Sequence, residues 1–176
     1  MPGKRPREAV KAYLGPLQQN LSIVCKGVLR VNNYDDTDKP GVLTLESAVA
    51  LNGRSDFFLG FTQQYTIIED PENGPYRVKT TYYSYTVETE AGEEVFGYHW
   101  HPDGDSPIRF PHLHIGPAVK IGLVELNRKA HFPTGRVAFE DVVEFLINAL
   151  GVKPSGRLWQ KVVQKTRVLF DRHKSW

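Results

Sequence analysis

Cysteine is nearly absent from this chain of 176 residues, which carries Cys25 alone. A single thiol excludes an internal disulfide and a cysteine-rich zinc site. The residues before it, Leu21-Ser22-Ile23-Val24, are mostly apolar, so a buried, unreactive thiol is expected rather than a nucleophile. No apolar run approaches the roughly 20 residues that span a bilayer, and no membrane partner is expected. Nor does an apolar segment follow the charged Met1–Arg7 stretch, as it would in a secretory signal. A cytoplasmic protein is the natural expectation. Low-complexity tracts and internal repeats are missing too. The length suits a single domain over residues 1–176, with a basic N-terminal tip at Lys4-Arg5-Pro6-Arg7.

A large net charge is also lacking: the balance is +2, far from that of a dedicated DNA binder. Its distribution is uneven. Residues 31–100 hold twelve acids against four Lys and Arg, whereas residues 153–176 hold seven Lys and Arg against Asp171 alone. Pairing of a basic helix with an acidic sheet, or a plain solvated face, accounts for this polarity. A basic C-terminal helix docking an acidic partner is the non-enzymatic alternative.

What the chain does have is periodicity that changes along its length. Residues 5–20 place Ala9, Val10, Tyr13, Leu14 and Leu17 at helical spacing, with Gly15-Pro16 expected to end or kink the helix. Leu21–Val31 reads as β-leaning. The aspartates of Asn32–Gly41 lack the central glycine and closing glutamate of an EF-hand, so turn chemistry explains them better. Val42–Leu51 reads as a strand and Asp56–Glu69 as a further apolar run. Tyr76–Glu90 has the strongest strand signal, turning at Ala91-Gly92-Glu93 into Glu94–His101. Pro111 places the following segment, Ile108–Gly116, at a sheet edge or delays its start. Val119–Arg128 reads equally as strand or short helix, and His131–Arg136 as a loop. Phe139–Leu150 is helical, and a last helix, capped by Ser155, buries Leu158, Trp159, Val162, Val163, Thr166, Leu169 and Phe170. Together these predict an α+β domain: a meander-like antiparallel sheet with one N-terminal and two C-terminal helices.

Four of the six histidines fall in two His-x-His pairs, His99/His101 and His112/His114. Strand residues two apart share a face, so each pair points two imidazoles the same way. The opposite face then carries Phe96, Tyr98, Trp100, Leu113 and Ile115 as core, and Val95 and Gly97 join the histidine side. Two chemistries suit such a cluster. His99, His101, His112 and His114 could ligate Zn²⁺, Cu²⁺ or Fe²⁺, as in cupin-like barrels. The cupin pattern asks for a glutamate soon after the first pair, where this chain offers only Asp103 and Asp105. Alternatively, without any cofactor, two histidines near their ordinary pKa could act as acid and base on a phosphodiester. Arg109 and Arg136 would then neutralise the phosphate, with His131 assisting. His173, in the last basic turn, is expected to be solvated.

At Tyr98-His99-Trp100, the Pro111-His112-Leu113-His114 run and the helix after them, the sequence resembles the TumE-like toxins of type II toxin–antitoxin modules. The resemblance covers about residues 80–150 and touches His99, His112 and His114. It implies an intracellular toxin acting on an RNA substrate and neutralised by a cognate antitoxin protein. The chain departs from that pattern in His101, in its Asp-Gly-Asp-Ser-Pro loop and in its longer N-terminal part. The leading expectation is therefore a histidine-dependent, ribonuclease-like hydrolase. A His-ligated metalloprotein is the main alternative.

Overall fold

In the computed structural model, residues 2–72, 74–103, 106–116, 119 and 131–173 are described. In chain order they form β1 (Pro2–Gly3), α1 (Pro6–Val24), β2 (Arg30–Val31), β3 (Gly41–Thr44), β4 (Val49–Leu51) and β5 (Arg54–Glu69). β6 (Tyr76–Glu88), β7 (Glu94–Trp100), β8 (His112–Ile115), β9 (His131–Pro133), α2 (Phe139–Asn148) and α3 (Trp159–His173) complete them. Every strand pairing is antiparallel, in the order β2-β3-β5-β6-β7-β8-β9, with β4 beside β5 and β1 beside β6. This is the α+β meander with one N-terminal and two C-terminal helices that the periodicity predicts.

The helices cover one face of the sheet. Along β5 the alternation buries Leu59, Phe61, Gln63, Tyr65 and Ile67 and leaves Gly60, Thr62 and Gln64 on the other side. Phe61, Tyr85 and Phe139 join sheet to α2, with ring centroids 4.9–5.4 Å apart. Phe96 and Trp100 are buried on this face, and Tyr98, Leu113 and Ile115 pack against the same core.

Several local expectations give way to tertiary packing. Pro16 does not end α1, which continues through Leu21 to Val24. Leu17, Leu21 and Val24 lie at i, i+4 and i+7 and are all buried, and their burial outweighs the backbone bond that proline removes. Of the β-leaning stretch Leu21–Val31, Leu21–Val24 is the end of α1 and only Arg30–Val31 becomes a named strand. The long strand expected over Val42–Leu51 is divided into β3 and β4, both paired with β5. The basic tip is tied down: Pro2–Gly3 pairs with β6 and Arg7 forms an ion pair with Asp35. Ser155 does not cap α3, which starts four residues later, at Trp159. Instead its N–H donates to Ile23 O at 2.7 Å and its hydroxyl accepts from Asn52 Nδ2 at 3.0 Å. Leu158 is 62% exposed rather than part of the buried stripe. Apart from Val119, the segment expected as strand or helix over Val119–Arg128 lies outside the described residues. Among those described, no helix is long and apolar enough to cross a membrane.

Candidate functional site

The histidines gather at the β7–β8–β9 end of the sheet, on the face away from the helices. Register puts them there. His99 is opposite His112, and His114 lies between Gly97 on one side and His131 on the other. Ring centroids are 5.6 Å apart for His99–His112, 5.4 Å for His101–His112 and 6.5 Å for His99–His101. His99, His101 and His112 each offer a ligand atom, and these three atoms lie within 4.8 Å of one another.

His131 belongs to this cluster, though in a strand and not in the expected loop. β9 pairs with β8, so the His131 ring comes 4.8 Å from that of His112 and stacks on His114 at 5.2 Å. Five of the six histidines are thus brought together.

Arg136 is not among them. Its guanidinium carbon lies 3.4 Å from the centroid of the Trp100 ring, on the helix side of the sheet, where Tyr83 Oη accepts the Val137 N–H. Burial lowers the Arg136 pKa, and the favourable contact with the indole face compensates for lost hydration. A phosphate bound at the histidines cannot meet that side chain through the sheet. Arg109 is exposed on the loop leading into β8, and Asp103 is exposed at the β7 end of that connection. Asp105 lies outside the described residues.

Glu94 is the site residue that alternation alone conceals. Val87 pairs with Phe96 while the next residue, Glu88, pairs with Glu94, so Val95 is an extra residue in β7. This bulge sends Val95 to the core side instead of the histidine face and brings Glu94 round in its place. Its carboxylate accepts a hydrogen bond from His114 Nδ1 and lies 3.6 Å from His99 Nε2. Gly116 braces the bulge by donating its N–H to Val95 O at 2.8 Å, so close to the Glu94 carbonyl that a Cβ would overlap it. Alternation along β7 carries no signal for Glu94, because a bulge is defined only against the partner strand.

Burial and crowding lower the pKa of two of the rings, His99 and His112. His112 is 1% exposed, and His99 retains a fifth of its side-chain surface. Burial, then four neighbouring histidines, push the His99 pKa down to about 4. Burial also lowers that of His112, against the opposing pull of its Nδ1–H donating to Phe110 O at 2.9 Å. Because a carbonyl only accepts, that bond fixes the proton on Nδ1 and leaves His112 Nε2 as a lone-pair donor. Neutral imidazoles with directed lone pairs are what a divalent transition metal binds. His99 Nε2 is buried and has no hydrogen-bond partner, and the polar atom facing it is the Glu94 carboxylate, 3.6 Å away.

Comparison with protein-family models, curated proteins and solved structures finds no match to this chain. Its chemistry is therefore argued from the residues.

Proposed function

We propose that this protein is a histidine-ligated metalloprotein whose metal is held by His99, His101 and His112. The observation carrying this reading is the approach of their three ligand atoms to within 4.8 Å, from β7, the residue just after it and the adjacent β8. A tetrahedral zinc site needs nitrogens about 3.4 Å apart, given metal–nitrogen bonds near 2.1 Å. Ring rotation about the side-chain torsions would have to supply that closure. Three imidazoles would leave a coordination position for water or substrate, and a metal held there would supply the Lewis acidity that activates water for hydrolysis. The burial of His112 supports a ligand role over acid–base contact with a polymer, because a ring shut away from solvent does not reach a ribose.

Metal-independent cleavage of RNA, with a cognate antitoxin, is the competing proposal. Its support is Arg109, exposed on the loop that joins the two His-x-His strands. One experiment separates them. Protein purified without a nickel column is incubated with zinc, cobalt or copper and analysed for metal after desalting. About one tightly held ion per chain, lost in His112→Ala, supports the metal site. No retained metal, together with RNA cleavage that survives a chelator, would replace it with the ribonuclease.

A further inference from the structure

Glu94 lies outside the metal-ligand set, yet its carboxylate faces one of the ligands, His99. The inference rests on the metal-centre reading above. In His99 the Cδ2–Nε2 edge turns back along β7: a Cβ on Gly97 would overlap Nε2 and lie 3.0 Å from Cδ2. Glu94 Oε2 is 3.6 Å from that same Nε2, while Oε1 accepts a hydrogen bond from His114 Nδ1. The opposite, Nδ1 edge of His99 consequently turns away from Gly97. His112 has the reverse arrangement, its Nδ1–H committed to Phe110 O and its Nε2 available.

We infer that Glu94 is the positioning residue of the centre, holding the His99 proton on Nε2 so that His99 ligates through Nδ1 while His112 ligates through Nε2. Carboxylates behind metal-bound imidazoles commonly fix the tautomer and ring orientation. Here one carboxylate, delivered by a bulge, is hydrogen-bonded to His114 and lies 3.6 Å from His99 Nε2. His114 is held beside the centre by the same group, its ring centroid 6.0 Å from that of His99. The roles are therefore separate: His99, His101 and His112 bind, and Glu94 orients.

The test uses the full chain with zinc and cobalt. Two-bond proton–nitrogen correlation spectra of histidine-labelled, zinc-loaded protein should show His99 bound through Nδ1 and His112 through Nε2. Glu94→Gln should bind cobalt roughly 10- to 100-fold more weakly than the unsubstituted chain, with an altered visible spectrum. Thermal melts of the metal-free proteins check that the variant is folded, and the spectra of the unsubstituted chain need no variant. If the unsubstituted chain binds neither metal, the metal-centre reading falls and this inference with it. If it binds zinc with His99 attached through Nε2, or if folded Glu94→Gln binds cobalt equally well, the role of Glu94 is wrong while the metal centre stands.

Discussion

Gly97 and His99 stand two residues apart on one face of β7, and the ring of the second occupies the space a side chain on the first would need. A Cβ on Gly97 would overlap His99 Nε2 and approach Thr86 Cγ2 to 3.2 Å. The glycine is therefore a requirement of the histidine's orientation, not of a turn.

Gly97→Ala should turn the His99 ring away from its present position. Overpacking of this kind costs about 1–3 kcal/mol, and metal affinity should fall roughly tenfold or more. Gly135→Ala is the control, since a Cβ there meets nothing within 4 Å. Urea unfolding and cobalt titration measure the two effects. Unchanged affinity in Gly97→Ala would show that the ring has another way to reach the metal.

Arg136→Ala should leave metal binding untouched, because the guanidinium lies on Trp100 across the sheet from the histidines. Stability should fall by about 1–2 kcal/mol as a partly desolvated cation–π contact is lost. A large loss of metal, with the protein still folded, would place Arg136 in the site after all.

Glu140 provides a pH test independent of the histidines. It is 2% exposed, and burial raises its pKa above the ordinary carboxylate value, although Arg167 and the Thr166 hydroxyl oppose the shift. Asn20 Nδ2 donates to its Oε1 at 3.2 Å and to Thr166 Oγ1 at 2.7 Å. The folded state thus binds the Glu140 proton more tightly than the unfolded chain does. Its contribution is fully present below the unfolded pKa of about 4.3 and is lost as pH rises through the folded value. Glu140→Gln keeps an acceptor for Asn20 and cannot ionise. Relative to the unsubstituted chain, its Tm should therefore improve between pH 4 and pH 8. A difference that does not change with pH would mean that Glu140 is not held protonated.

Phe139→Ala should be the most disruptive single change, removing a fully buried ring that touches both Phe61 and Tyr85. A loss of about 3–5 kcal/mol is expected from chemical denaturation. The fraction that remains folded should bind metal normally, since α2 packs on the opposite face of the sheet.

The sequence alone determined which residues share a face wherever the strands run without a bulge. A period of two is local, set by backbone pleating, so it could separate the histidines from Tyr98, Trp100, Leu113 and Ile115 without any knowledge of partners. It also determined the α+β class, since the switch to helical spacing after Arg136 is equally local. Tertiary structure decided the rest. Which histidines meet depends on the β7–β8 and β8–β9 registers, and so His131 joins the cluster from what reads as a loop. Glu94 reaches the site because one extra residue in β7 reverses the alternation, an event defined only by pairing with β6. Arg136 leaves it because the face of Trp100 offers the cation a better place than solvent. Pro16 stays inside a helix because burial across α1 outweighs a local breaker. Each of these outcomes turns on contacts between residues distant in sequence, which local pattern does not encode.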